Sequence, residues 1–456
     1  MKKYIILAAV TLICYFVHSF FQFSGGIGAD SLSYFGIAAD LPNPETALFP
    51  LGFPVLLRLF YEIFGDYFWA SKALNMVLLL IILMFSYLKK FYFRETVILL
   101  TGKTVFFIFT VVMSENLFLF LCYFLIYCIH ERIHNRFKGV PFIIWTSLIT
   151  VLLFTVRYSG IYIYASLGLF WLLAVWKIRD RSYTKDLFKV LVLSGIGIAA
   201  YLFWNYIHFG SFTGEDLRGK PAQYYAVYIL RDFLGMINVV NPFIGIKPAS
   251  NSVFSIAFQV GLAVFDIVLA FLLFRIFQRK KHLLRLDFHY FMWLTAILYT
   301  LALFLSGLFQ QIEEMNMRTL AAANFILFFS FLIVYYADLK NDQLIFTISC
   351  FFLFFQMAYS LKSPGSYLEV REQIEPQMPQ YSRKKYLFND EQNHLIISTY
   401  KIPVINREIK YPHTANQTGY VKQSVAGGLN PKIKWLKYDT IQDKSQVLYT
   451  SQLKLK

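Results

Sequence analysis

Five charged side chains stand at the edges of long apolar runs, where a membrane would solvate them poorly. They are Asp30 in Gly28-Ala29-Asp30-Ser31-Leu32-Ser33-Tyr34, Glu115 in Met113-Ser114-Glu115-Asn116-Leu117, and the cations Lys72, Arg157 and Arg318. An ionisable group at or within a bilayer is a functional candidate, because burial without a partner is costly. Carboxylates can act as general base toward an acceptor hydroxyl or hold a divalent cation, with Asp30 and Glu115 the candidate ligands. Cations can stabilise a phosphate leaving group through charge-assisted hydrogen bonds. Each residue also has an ordinary role. Asp30 precedes Ser-Leu-Ser-Tyr and suits a helix N-cap. Glu115 suits a turn, and a lone Lys or Arg near the end of a span can snorkel to headgroups. Two carboxylates and three cations gathered on one membrane face are harder to assign that way. His208, in Trp204-Asn205-Tyr206-Ile207-His208-Phe209-Gly210, fits an interfacial position better than a catalytic one. Asn416-Gln417-Thr418 fits a glycosylation acceptor, a tripeptide common by chance. No Walker loop, GxSxG elbow or HExxH is present, which argues against an ATPase, an esterase of that type or a zincin.

The elements that must position these residues are membrane helices. Of the 456 residues 57% are hydrophobic and only 15% charged, against about a quarter charged in soluble domains. The formal net charge of +16 would in a soluble protein suggest nucleic acid, but its distribution argues against that partner. Lys2-Lys3, Lys89-Lys90 with Arg94, Arg132/Arg136/Lys138, Lys177/Arg179/Arg181 and Arg275/Arg279/Lys280/Lys281/Arg285 form short clusters between apolar runs. That is the spacing of cytoplasmic loops. The four cysteines all fall in apolar runs without metal-ligand spacing and read as buried, inert thiols.

At about 20 apolar residues per span, helices are expected near 4–21, 67–88, 95–112, 114–130, 139–156, 159–176, 187–206, 253–274, 288–308, 319–337 and 343–361. The first reads as a retained signal anchor, since it lacks a small-residue cleavage site. With the N-terminus inside, every basic cluster falls in the cytoplasm and the C-terminus lies outside. The segment 95–112 is interrupted by Gly102-Lys103 and is placed as a span by the charge pattern. The first outer loop, 22–66, is expected to carry interfacial helices at Ser31–Ala39 and Phe53–Phe64. The outer loop 207–252 is Gly/Tyr/Pro-rich. The tail 362–456 holds fifteen basic and eight acidic residues. Its β-prone runs His394–Tyr400 and Ser445–Ser451 suggest a small extracytoplasmic α/β or β domain following the transmembrane domain 1–361. The fold class is therefore an all-α polytopic membrane protein of about eleven spans with such a tail.

Several blocks, in order, resemble the GT-C superfamily of glycosyltransferases, the group that includes protein O-mannosyltransferases and the lipid A aminoarabinose transferase. Asp30 through Tyr34 to Ile37-Ala38 is similar to the family's acidic first-loop motif. Phe49-Pro50-Leu51-Gly52-Phe53-Pro54 through Phe64-Gly65 resembles the Tyr-Pro-Pro…Phe-Gly block that follows it. Lys72-Ala73-Leu74-Asn75 sits where the family often has Arg-Leu-Pro or Arg-Leu-Asn. Ser114-Glu115-Asn116-Leu117 is close to its Ser-Glu-Pro-Leu, and Val156-Arg157-Tyr158-Ser159-Gly160 to its Thr-Arg-Pro-Xaa-Gly. Trp204-Asn205-Tyr206 with Phe209-Gly210-Ser211-Phe212-Thr213-Gly214 resembles its Asn-Tyr…Phe-Gly-Xaa-Xaa-Thr-Gly, and Arg318 matches a common Arg-Tyr position. The blocks cover roughly residues 1–340. This chain departs in having one first-loop Asp where some members have an acidic pair, and Asn116 where the family has Pro.

The resemblance implies an inverting transfer of a sugar from a polyprenyl-phosphate donor, at the outer face of a bacterial inner membrane, to a glycan, lipid or protein acceptor. Asp30 would be the general base, with Glu115 assisting through a divalent cation or by orienting the acceptor. Tyr34, Lys72, Arg157, His208 and Arg318 would bind substrate. Competing readings are an O-antigen polymerase or ligase, which usually carries catalytic Arg and His residues in a late outer loop, and a lipid-linked sugar flippase, which would place charges mid-membrane.

Overall fold

The structure is a computed structural model and describes residues 1–21, 25–27, 29–44, 47–178, 181–214, 226–245, 253–309, 312–338 and 342–360, with four short strands of the tail. Among these residues seven helices are long and apolar enough to cross a membrane. They are α1 (Lys2–Phe21), α4 (Tyr67–Leu88), α7 (Glu115–Ile133), α10 (Arg181–Phe209), α12 (Val253–Lys280), α13 (Leu286–Gly307) and α15 (Gln343–Ser360). The shorter α8 (Val140–Val156), α9 (Gly160–Leu173) and α14 (Ala321–Tyr336) are also apolar. The chain is a polytopic membrane protein. Helix α14 is buried along nearly its whole length, whereas α10, α12 and α15 turn most of their surface outward. An outward face of Phe258, Phe265, Val268 and Leu272 suits lipid, because apolar side chains lose nothing there.

The expected span 95–112 is not one helix. It is split into α5 (Phe93–Thr101) and α6 (Lys103–Thr110), each too short to cross alone. The break at Gly102 has extended backbone (φ −64, ψ 143). The Lys103 amide there leaves the helical ladder and donates to the Pro242 carbonyl at 2.8 Å. A Cβ at position 102 would lie 3.3 Å from that same carbonyl oxygen, so glycine allows the close approach. The two halves still run from one end of the bundle to the other. Tyr92, just before α5, bonds to His130 near the end of α7, and Val112, just after α6, accepts from Ser31 at the opposite end. Val97, Ile98, Leu99, Ile108 and Phe109 are fully or almost fully buried. Protein packing around the broken helix makes its irregular backbone tolerable at membrane depth.

The first loop forms the two expected helices, α2 (Ala29–Asp40) and α3 (Gly52–Phe64). Helix α3 buries Phe53 and Leu57 and exposes Val55, Leu59 and Ile63 on the other face. The four-residue spacing of that exposed stripe suits a helix lying in the interface. The loop 207–252 holds a helix that its composition did not predict, α11 (Ala226–Ile237), followed by a 3-10 turn, Asn238–Val240. That turn is fastened to the middle of α12, where Asp266 is fully buried. Both Asp266 carboxylate oxygens accept hydrogen bonds at 2.7 Å, from the side-chain amides of Asn238 and Asn241. The lone acid of an apolar span therefore staples the turn that follows α11 to the bundle.

In the tail, β1 (Lys384–Asn389), β2 (His394–Thr399), β3 (Trp435–Leu436) and β4 (Gln452–Leu455) pair in the order β3-β1-β2-β4 with antiparallel neighbours. The β-prone run 394–400 coincides with β2, and the run 445–451 lies outside the described residues.

Replacing Asp266 by Ala removes one acceptor from each of two buried side-chain amides, of which Asn238 keeps the Ile244 carbonyl at 2.9 Å. At about 1.5–3 kcal/mol for a hydrogen bond to a charged group, the expected result is a clearly lowered unfolding temperature of the detergent-solubilised protein. Asp266→Asn, which keeps one acceptor, should fall between. Unchanged melting of Asp266→Ala would contradict the staple.

Candidate active site

Four of the charges singled out in the sequence meet at one end of the bundle. Asp30 lies in the first turn of α2, Glu115 is the first residue of α7, Arg157 caps the C-terminal end of α8, and Arg318 lies in the loop between α13 and α14. Arg318 donates from Nε to Glu115 Oε1 at 2.8 Å and from Nη1 to Glu313 Oε2 at 3.2 Å, and its Nη2 pairs with Asp30 Oδ2. Arg157 Nη1 lies 2.6 Å from the same Glu115 oxygen and donates to Ser114 Oγ at 3.3 Å. The charges thus alternate Asp30–Arg318–Glu115–Arg157. Glu115 is 3% exposed, and its second oxygen, Oε2, is buried with no donor among the described residues. A carboxylate at a helix N-terminus also gains from the helix dipole.

Local folding explains the placement. Asn316 Oδ1 accepts from the backbone amides of Arg318 at 2.7 Å and Thr319 at 3.3 Å, and Thr319 Oγ1 accepts from the Asn316 amide at 3.0 Å. This side-chain-closed turn fixes the direction in which Arg318 leaves the backbone. Ser31 Oγ donates to the Val112 carbonyl at 2.6 Å, one residue beyond Asp30, and the Val112 amide donates to Gly26. Helix α2 is therefore pinned to the segment that leads into Glu115. Tyr34 is buried with its hydroxyl 2.7 Å from Ser114 Oγ, so it supports the residue before Glu115. Burial, reinforced by the Glu115 charge, pushes the Tyr34 hydroxyl well above its ordinary range.

Burial by itself would lower the pKa of Arg157 and of Arg318. For Arg157 the Glu115 charge outweighs it, and for Arg318 the charges of Glu115, Asp30 and Glu313 do, so both guanidiniums are held above their ordinary value. A cation whose folded pKa is raised contributes stability fully present below the unfolded value and lost only above it. Both arginines therefore stay charged through the physiological range.

Two expected residues lie apart. Lys72 is buried in α4, and its ammonium donates to the Thr110 carbonyl at 2.7 Å. The orphan carbonyls at the C-terminal end of α6 attract a cation, and no ion pair of Lys72 appears among the described residues. His208 is exposed on the last turn of α10. Its ring packs on Trp204 at 4.3 Å, and its Nδ1 lies 2.9 Å from the Trp204 carbonyl oxygen. A divalent cation does not fit the carboxylates as they stand. The Arg318 guanidinium occupies the space between Asp30 and Glu115, and no group of three His, Cys, Asp or Glu able to hold a metal occurs among the described residues.

Sequence reasoning missed the outer support of Arg318. The amide of Met315 donates to Asp232 Oδ1 at 2.7 Å, and Arg231 Nη2 lies 2.8 Å from Glu314 Oε2. The adjacent Arg-Asp pair inside the amphipathic run Val227–Ile237 was the available signal. For Asp266 the signal was a single acid within an apolar span.

No known family profile and no curated protein sequence matches the chain. Two solved structures of ArnT from Cupriavidus metallidurans are similar. The apo form superposes with a TM-score of 0.45 at 13% identity, covering 73% of this chain and 58% of that one. The form bound to undecaprenyl phosphate gives 0.46 at 10% identity, covering 72% and 59%. The chain thus spans less than two thirds of their length. The chemistry of this site rests on its own residues.

Glu115→Gln should leave two closely spaced guanidiniums without their shared counter-charge. Breaking a buried pair costs about 3–5 kcal/mol, so a marked loss of thermal stability in detergent is expected. The double variant Glu115→Gln/Arg157→Met, which removes one charge of each sign, should recover part of it. A double variant no more stable than Glu115→Gln would argue that the two do not share a charge balance.

Proposed function

We propose that the protein is an inverting membrane glycosyltransferase that moves a sugar from a polyprenyl-phosphate donor to an acceptor at the outer face of the membrane. The observation that carries this reading is the alternation of Asp30, Arg318, Glu115 and Arg157 at one end of the bundle. A carboxylate able to take a proton lies beside cations able to take a phosphate, at the end of the helices, and a lipid-linked donor carries its phosphate at the membrane interface. The order of sequence blocks resembling the GT-C superfamily supports the same reaction.

In the proposed step an acceptor oxygen attacks the anomeric carbon, and its proton passes to Asp30. The bond from that carbon to the phosphate oxygen breaks, and the lipid phosphate leaves with the electron pair. Arg318 and Arg157 stabilise the departing oxyanion. The cluster holds three carboxylates, Asp30, Glu115 and Glu313, against two guanidiniums. Taken alone it is net negative, and a phosphate enters only by exchange. Arg318 trades Asp30 for the phosphate, which frees the base in the same movement. Glu115 keeps Arg157 in place and, through Oε2, which has no donor among the described residues, can accept a hydrogen bond from a sugar or acceptor hydroxyl.

The orientation follows the charge distribution. Arg94, Arg132, Arg136 and Lys280 lie at the end of the bundle opposite the site, beside Tyr336, Asp186, Glu131 and Tyr335 respectively. By the positive-inside rule such an end is expected to face the cytoplasm, which supports an outer position for Asp30.

Asp30→Asn is expected to lower transfer from labelled polyprenyl-phosphate sugar by about 10²–10⁴-fold, the range for loss of a general base. Near-normal transfer by that variant would sink the assignment. External labelling of a cysteine placed at Lys281 would overturn the orientation.

A further inference from the structure

Helix α11 grips the loop that carries Arg318 at two consecutive positions. The Met315 amide donates to Asp232 Oδ1 at 2.7 Å, and the buried Arg231 pairs with Glu314 at 2.8 Å. The backbones are in close contact as well, since a Cβ on Gly235 would lie 2.0 Å from the Met315 carbonyl oxygen. From Met315 onward the chain has little freedom before Arg318, because the Asn316 side chain closes the turn over residues 316–319. The far end of α11 is equally held. Asn238 and Asn241 donate to Asp266 of α12, and the Asn324 amide of α14 donates to the Val239 and Asn241 carbonyls at 2.7 and 3.0 Å.

We propose that Asp232, assisted by Arg231, is a positioning residue for Arg318: α11 transmits the fixed position of the bundle to the residues just before that arginine and so aims its guanidinium at the phosphate site. The proposal rests on the transfer reading above for what Arg318 meets, though not for the grip itself. A helix docked merely for stability could hold this loop anywhere. Here both contacts fall on the two residues that precede the Asn316 turn, so a shift of α11 moves Arg318 directly. Displacements of about 1 Å cost on the order of 100-fold in preorganised sites, which gives a small docking contact a large functional lever.

The test uses the full chain in lipid nanodiscs and two readouts, binding of polyprenyl phosphate and hydrogen exchange at the Met315 amide. Asp232→Ala is expected to weaken polyprenyl-phosphate binding by about tenfold or more and to speed exchange at Met315. Asp232→Asn keeps an acceptor oxygen and should resemble the wild type in both. In an Arg318→Lys background, Asp232→Ala should cost little further affinity, since residues acting through one another are non-additive. An equal loss on both backgrounds, or unchanged exchange at Met315 in Asp232→Ala, would overturn the proposal. If Asp232→Ala does not accumulate, Gly235→Ala displaces Met315 sterically without removing a polar group and is read the same way. A wild-type chain that fails to bind polyprenyl phosphate would count against the transfer reading instead, while Met315 exchange still reports the grip.

Discussion

One guanidinium joins segments that are far apart in the chain. Arg318 reaches Glu115 across 203 residues and Asp30 across 288. Withdrawing such a group from water is expensive, and its attraction to carboxylates offsets the loss only when geometry and hydrogen bonding are nearly complete. The surrounding structure can be read as the means of meeting that condition. Asn316 fixes the exit of Arg318 from the backbone, Ser31 ties α2 to the segment before α7, and Ser114 spans Tyr34 and Arg157. Loosening any of these would leave charge buried and poorly paired.

The bundle beneath the cluster has a division of labour. Helices such as α10 and α12 present mostly outward apolar surface, while α14 and the broken pair α5–α6 are enclosed by protein. Within the enclosed part, the Lys103 amide finds the Pro242 carbonyl and the Asn238–Val240 turn finds Asp266 and Asn324. Hydrocarbon would offer those groups no partner. This polar seam links the membrane core to α11 and, through Asp232, to the loop of Arg318. The same seam makes an acid in mid-span compatible with a structural role, since both Asp266 oxygens are occupied by amides.

Under the proposed transfer reaction, the balance of charge at the site also constrains how a substrate is received. With three carboxylates around two guanidiniums, the arrangement resists an added anion unless one ion pair opens. Asp30 is the more exposed of the two principal carboxylates, its side chain at 33% against 5% for Glu115. Of those two it is the partner that Arg318 can surrender more cheaply, and Glu313, at 43%, is more exposed still. Glu115, held by two arginines and enclosed, is suited to remain fixed and orient the others.

Hydropathy and charge were enough to read the membrane class, nearly every helix and the candidates Asp30, Glu115, Arg157 and Arg318 from sequence. The reason is physical, since lipid solvation imposes long apolar runs and makes each interrupting charge conspicuous. Tertiary structure alone decided which of those charges meet. Lys72 looked equivalent to Arg157 in sequence, yet it turns to the Thr110 carbonyl, and His208 turns to Trp204. The break at Gly102 was visible as a flaw in an apolar run, but its cause, the Pro242 carbonyl, lies 140 residues away. Helix α11, the Asp232 grip and the role of Asp266 were likewise beyond a linear reading. Periodicity records which way one element must face, whereas a hydrogen bond between distant segments depends on how every intervening element packs.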